Sequence, residues 1–263
     1  MSSILDAIAA YKRDWVKQCK QNISENELLQ QSRAYSPLPF ASALQERIQK
    51  RQNAVITEVK KASPSKGVIR EDFDPVWIAQ SYADADATCL SVLTDEKYFQ
   101  GADAYVRAIR QAVHIPILRK DFMLDPYQII EARAMGADCI LIILAMLDDT
   151  LAHELCATAQ EMGLSILPEV HNAKELERAM DLNTTLIGIN NRNLHTFETS
   201  LQTTIDLLSG LHQERTVITE SGIFTPDDVR LMNEAGVYGF LVGESLMRQP
   251  NPGDALKTLL TPV

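Results

Sequence analysis

The sequence is short of the residues that usually announce a metal, redox or nucleotide site. Its four cysteines, Cys19, Cys89, Cys139 and Cys156, lie 70, 50 and 17 residues apart and form no CxxC pair. That leaves no zinc or dithiol motif, and buried free thiols are expected. Of the five histidines only His153-Glu154 opens like HExxH, and it continues Leu-Cys-Ala, so no metal site is expected. None of the 11 glycines precedes Lys and no two are separated by a single residue. Neither a P-loop nor a GxGxxG loop can be drawn, and no nucleotide cofactor is expected. Basic residues are outnumbered 25 to 35, giving a net charge of −10, the opposite of what a binder of phosphate backbones carries. The longest apolar run, Cys139 to Leu147, has nine residues, against about 20 for a membrane span. The amino terminus, MSSILDAIAAYKRDW, has no basic residue ahead of its apolar stretch and carries Asp6 within it, unlike a secretory signal. The expectation is a cytoplasmic protein with neither nucleic acid nor membrane as a partner.

What is present is an ordinary globular composition, 46 % hydrophobic and 23 % charged over 263 residues, enough for one large α/β domain with a sizeable core. Ile4, Ile8, Tyr11, Trp15 and Cys19 recur at spacings of three and four, predicting an amphipathic helix over 4–19. Pro37 and Pro39 interrupt the pattern before a second helix near Leu44 to Lys50. Short β-rich apolar runs then alternate with helical stretches. They are Ala54–Val59, Thr88–Leu93, Ile115–Leu118, Cys139–Leu144, Ser165–Leu167, Leu186–Ile189, Val217–Thr219 and Tyr238–Val242. Eight such units at a pitch near 26 residues fit a closed (β/α)8 barrel, the TIM barrel, better than an open doubly wound sheet, which here would also lack its glycine fingerprint. Residues 1–50 read as an amino-terminal helical extension packed on a barrel of residues 51–263, one domain overall. Asp74-Pro75, Asp125-Pro126 and Thr225-Pro226 mark helix starts. Gly136 and Gly163 mark helix ends, whereas ADADA at 83–87 offers no glycine for that purpose.

Barrels of this kind take their chemistry from the carboxyl ends of the strands, and here those ends are charged. Along Ile56-Thr57-Glu58-Val59-Lys60 the period of two puts Glu58 and Lys60 on one face. In Ile117-Leu118-Arg119-Lys120 either Arg119 or Lys120 must point inward. Pro168 cannot donate to the ladder, so pairing is expected to stop near Glu169, leaving a carboxylate at the rim. Asn190-Asn191-Arg192-Asn193 is a polar cluster or a turn. Glu220-Ser221-Gly222 and Gly243-Glu244-Ser245 follow the last two strands, where backbone N–H groups bind phosphate in many barrels. The lysine-rich stretch Lys60 to Gly67 reads either as a mobile surface loop or as a lid over an anionic substrate.

The segments VITEVKKASPSKGVIREDFDP, LSVLTDEKYFQG, ILRKDFMLDPYQI, LPEVHN, IGINNRNL, TESGI and GFLVGESLM, in this order, closely resemble the indole-3-glycerol phosphate synthase family, from about residue 4 to the end. The resemblance implies a decarboxylating ring closure of 1-(2-carboxyphenylamino)-1-deoxyribulose 5-phosphate, without a cofactor. It implies Lys120 as the general acid on the ketone oxygen and Glu169 as the base for dehydration. Lys60 is similar to the family lysine at the phosphate, which also competes for the acid role, and Glu58 would position it. Ser63, Asn190 and Arg192 resemble groups that orient the carboxylate and hydroxyls, and Phe122 would pack on the aromatic ring. Glu220 and Ser221 would line the site, with Gly222, Gly243 and Glu244 holding phosphate through the backbone. Glu244 stands where many members have a small residue, so its side chain is expected to turn away from the dianion. Pro168, where Val or Thr is more frequent, and ADADA are the other departures. The expected partner is a small sugar phosphate, and the chain is expected to be monomeric, similar to stand-alone members. A Schiff-base aldolase using Lys60 or Lys120 and a silent sugar-phosphate sensor are the competing readings.

Overall fold

The computed structural model describes residues 4–194, 196–211 and 215–261. In chain order the strands are β1 (Ala54–Val59), β2 (Ala62–Ser63), β3 (Gly67–Val68), β4 (Cys89–Leu93), β5 (Ile117–Lys120), β6 (Cys139–Ile143), β7 (Ser165–Val170), β8 (Leu186–Asn190), β9 (Thr216–Glu220) and β10 (Gly239–Val242). Apart from β2 and β3, which form an antiparallel hairpin, they close in the order β1-β10-β9-β8-β7-β6-β5-β4. With a helix in each crossover, this is the (β/α)8 barrel anticipated from the repeat. Alternate residues point to opposite faces. Ile56, Cys89, Leu118, Cys139, Leu167, Leu186 and Ile218 fill the interior, while Val55, Leu90, Ile140, Ile166, Ile187 and Phe240 pack outward against the helices.

Local chemistry sets the helix boundaries. Asp74 accepts hydrogen bonds from the backbone N–H of Val76 and Trp77, and Asp125 from that of Tyr127. Thr225 forms a reciprocal capping box with Asp228. All three caps precede a proline, whose missing N–H is one the first helical turn does not use. In ADADA the left-handed turn is taken by Asp86 (φ 62°), a residue type that tolerates it.

Only Ala54–Val59 keeps its expected bounds; the other barrel strands shift by one to three residues, and three differences bear on the site. The third strand is Ile117–Lys120 rather than Ile115–Leu118, because both charges that end it find partners, one inside the barrel and one outside. Pairing in β7 ends near Glu169, one residue on: Pro168 sits opposite Ile142, Glu169 opposite Ile143 and Gly188, and Val170 opposite Ile189. A proline removes one donor, and the ladder continues on both sides of it. The stretch after β1 is held as the β2–β3 hairpin, with Ser63 opposite Gly67.

The amino-terminal segment comprises α1 (Ile4–Asn22), α2 (Glu25–Gln31) and α3 (Phe40–Gln49). The helix α2, started by a Ser24–Glu27 capping box, was not anticipated, and α3 begins four residues before the predicted Leu44. Phe40 and Leu44 of α3 join the interior cluster from the amino ends of the strands, with Ala41 N–H donating to Ser165 Oγ at the start of β7 (3.3 Å). At the other end, α1 fully buries only Ile8 of the predicted stripe, with Tyr11, Trp15 and Cys19 half-buried. Its covered face is Ile8, Ala9, Lys12 and Val16, whereas Ile4 is exposed. The cause is Lys12, 2 % exposed, whose ammonium lies 2.7 Å from both Asp95 and Asp121 just beyond β4 and β5.

Candidate active site

Alternation decides which strand-end charges enter the barrel. Leu118, Leu167 and Ile218 lie in the interior core, so two residues on, at the carboxyl ends, the same face carries Lys120, Glu169 and Glu220. Ile56 sets Glu58 in the same way. Arg119, on the opposite face of β5, is 1 % exposed and paired with Glu131 (2.7 Å), Asp103 (3.0 Å) and Asp121 (3.4 Å). This resolves the choice between neighbours in favour of Lys120 inside.

Lys120 Nζ is the centre of the arrangement. It lies 2.7 Å from Glu220, 3.7 Å from Glu169 and 3.9 Å from Glu58. Burial disfavours its charge, but the carboxylates of Glu220, Glu169 and Glu58 outweigh this and raise its pKa above the ordinary 10.5, so it is an ammonium ion at neutral pH. Glu169 is the counterpart. Burial pushes its carboxyl up, yet contact with His171 and the charge of Lys120 win and hold it at about 2. An acid in its charged form and a base in its charged form thus stand side by side. Glu220 is pushed up to about 7, mainly by burial, with Lys120 opposing and Glu169 and Glu58 adding repulsion. Glu58 is also paired with Lys60; burial pushes its carboxyl up, but Lys60 and Lys120 outweigh this and leave it below the usual range.

Loops complete the walls. Arg192 lies after β8, its backbone N–H bound to the Asn190 side chain (3.0 Å) and its guanidinium 3.2 Å from Ser65 and 3.6 Å from Glu244. Ser221 (φ 62°) and Gly222 (φ 87°) follow β9 in consecutive left-handed conformations. For serine that is uncommon and costs energy. Gly243 leaves room for a carboxylate: a Cβ there would collide with Glu58. Gly243→Ala should therefore push Glu58 off Lys60, lowering stability by about 1–3 kcal/mol and weakening activity. Chemical denaturation and turnover measured together would show it, and wild-type values for both would refute the close approach. Glu244 does not turn clear of the cavity. Its carboxylate is held by Arg248 (2.9 Å), Arg192 (3.6 Å) and Lys66 (4.0 Å).

The structure brings every residue singled out from the sequence, Glu58, Lys60, Ser63, Lys120, Phe122, Glu169, Asn190, Arg192, Glu220, Ser221, Gly222, Gly243 and Glu244, onto the walls of one cavity at the carboxyl end of the barrel. Phe122 stands beside Phe99, ring centroids 6.0 Å apart. Ile8, from the predicted stripe of the amino-terminal helix, lines the cavity rim, but sequence reasoning missed its apolar neighbours there, Leu5 of α1 with Phe197 and Phe224 from loops. It also missed His171 behind Glu169. Periodicity carries no signal for either.

The family model for indole-3-glycerol phosphate synthase matches residues 5–259. The chain belongs to that family. An indole-3-glycerol phosphate synthase is a carboxy-lyase of tryptophan biosynthesis that forms indole-3-glycerol phosphate with loss of CO2 and water. Among solved structures, this chain is similar to tryptophan synthase subunit alpha from Legionella pneumophila str. Paris, at 16 % identity over 84 % of this chain and 95 % of that one, TM-score 0.61. It is also similar to a structure described as native KDPGal, at 18 % identity over 78 % and 90 %, TM-score 0.55. At such identities the likeness is one of fold. Among the described residues no helix is long and apolar enough to cross a membrane.

Proposed function

We propose that Lys120 and Glu169 carry the two proton transfers of the synthase reaction, as general acid and general base. The ring carbon bearing the carboxylate attacks the ketone, Lys120 protonates the developing alkoxide, CO2 leaves, and Glu169 removes the carbon-bound proton as the hydroxyl departs. The observation that carries this reading is the placement of an ammonium ion 3.7 Å from a carboxylate held ionised, both in a cavity whose walls include Leu5, Ile8, Phe122, Leu141 and Ile143. Apolar walls suit an anthranilate ring and strengthen the charges they enclose.

Glu58 positions Lys60, and Lys60, Arg192 and the backbone of Ser221, Gly222 and Gly243 face the anionic ends of the substrate. Ser63 and Asn190 orient its carboxylate and hydroxyls. Glu244 shares Arg192 and Lys66 with the incoming anion and tempers their charge. The protein's net charge of −10 does not favour an anionic ligand, so these local cations must attract it.

The test is to mix purified protein with the carboxyphenylamino-deoxyribulose phosphate and follow indole fluorescence. Glu169→Gln should release CO2 and then stall, accumulating the ring-closed, undehydrated compound. Absence of that compound at reduced turnover would assign the base elsewhere. Borohydride reduction should trap no adduct on Lys60 or Lys120, and a trapped adduct would favour the Schiff-base reading.

A further inference from the structure

Next to the substrate cavity, and sharing Leu5, Asn190, Arg192 and Leu194 with it, lies a second cavity to which the reaction scheme assigns no step. Its wall includes His171, Asn172, Glu175, Asn191, Glu198 and Ser200. Glu169 lines the substrate cavity and not this one; His171 lines this one and not the substrate cavity. The imidazole joins the two. Its Nε2 is 3.2 Å from Glu169 Oε1, an ionic contact out of hydrogen-bond alignment, and its Nδ1 is 3.0 Å from Glu175 Oε2. The ring is fixed, because Glu175 also accepts the His171 backbone N–H (2.8 Å) and the Asn172 side-chain N–H (2.6 Å). The two oxygens of Glu169 have different neighbours: Oε1 faces His171 and Oε2 faces Lys120.

The reaction creates a use for such a bridge. The substrate enters with an ionised carboxylate, and that group leaves as neutral CO2, so each turnover takes up one proton from solvent. Lys120 gives its proton to the ketone oxygen. Glu169 takes the carbon-bound proton and returns it to the departing hydroxyl, which leaves as water. Glu169 is then restored, and Lys120 is the group left one proton short.

We infer that His171 is a relay and positioning residue that recharges Lys120 from the second cavity. A small turn of the Glu169 carboxyl brings it into line with Nε2, whose proton it takes, and a further turn passes that proton to Lys120. The imidazole, left neutral, regains a proton from water in the second cavity, with Glu175 turning and holding the ring. Between turnovers the ring is charged: burial would lower its pKa, but the Glu169 and Glu175 carboxylates push it up to about 10. This rests on Lys120 and Glu169 acting as proposed above.

The test uses the full chain with His171→Ala and Glu175→Gln, with Glu169→Gln alongside. His171→Ala should lower kcat by about 10 to 10²-fold, at the low end for loss of a proton-transfer group, with KM within about twofold. Added imidazole, which fits the space vacated beside an open cavity, should restore at least part of the loss. Glu175→Gln should show a smaller loss, with the same direction in kcat and none in KM. Circular dichroism and substrate affinity on each variant separate misfolding from catalysis. Wild-type turnover in His171→Ala, or a loss that imidazole does not relieve, overturns the relay. If Glu169→Gln is itself fully active, the acid-base reading fails instead, whatever His171 does.

Discussion

Lys120→Met is expected to lower turnover by about 10² to 10⁴, the range for a lost general acid, which is about 3 to 5 kcal/mol of transition-state free energy. Substrate affinity should change little, because the groups facing the anionic ends, Lys60, Arg192 and the turns at Ser221 to Gly222 and Gly243, remain in place. The loss has two sources. The proton for the ketone oxygen disappears, and so does the cation that balances Glu58, Glu169 and Glu220. Without it, burial and mutual repulsion push the carboxyls up, so Glu169 becomes a poorer base as well. Lys120→Arg separates the two effects. It keeps the charge, but a guanidinium does not give up a proton in this range, so turnover should stay low while the ionisation of Glu169 is preserved. Recovery of most of the activity with Arg would mean that Lys120 acts through its field alone. Unchanged turnover in Lys120→Met, followed by indole fluorescence, would remove it from the mechanism.

The barrel was legible because its signal is local and repeated. The run Ala54–Val59 reads directly as β1, since Asn53 and Lys60 bound it. Once a closed barrel is inferred, alternation alone carries Glu58, Lys120, Glu169 and Glu220 to the same mouth, and glycine placement adds Gly222 and Gly243. Where charge ends a strand, apolar counting fails. Arg119 and Lys120 look like loop residues until the partners Asp103, Glu131 and Glu220, far apart in sequence, are brought to them. The same holds for Lys12, which sits in a helical stripe as an apparent solvent residue and is buried by two carboxylates more than 80 positions away. His171 is ordinary in sequence, and only the fold places Glu169 on one side of it and Glu175 on the other.

Lys12 carries the second large effect. Lys12→Met should destabilise the protein by about 3–5 kcal/mol, the cost of removing one partner from a buried ion pair and leaving the other without compensation. Here Asp95 and Asp121 would both lose their ammonium, Asp121 keeping Arg119, Thr94 and the Phe122 N–H, and Asp95 the Tyr98 N–H. Activity should fall with stability, since α1 brings Leu5 and Ile8 to the cavity wall and Asp121 directly follows Lys120. The pH dependence has a definite sign. Burial pushes the Asp121 carboxyl up, but Lys12 and Arg119 together leave it below its ordinary 3.8. Its contribution is therefore complete above about pH 4 and is lost as pH falls through the depressed value. Burial pulls Lys12 down, while Asp121 and Asp95 raise it above 10.5. Its contribution is complete below that value and is lost as pH rises through the raised one. The latch should hold at full strength between about pH 4 and 10.5. In Lys12→Met the wild-type advantage should shrink toward either extreme, most visibly on acidification, where Asp121 takes up a proton and no longer needs a cation. Urea denaturation of both proteins across that range measures the difference directly. A gap below about 1 kcal/mol at neutral pH, the ordinary size for a surface pair, would mean that α1 is held by its apolar face and not by this ion pair.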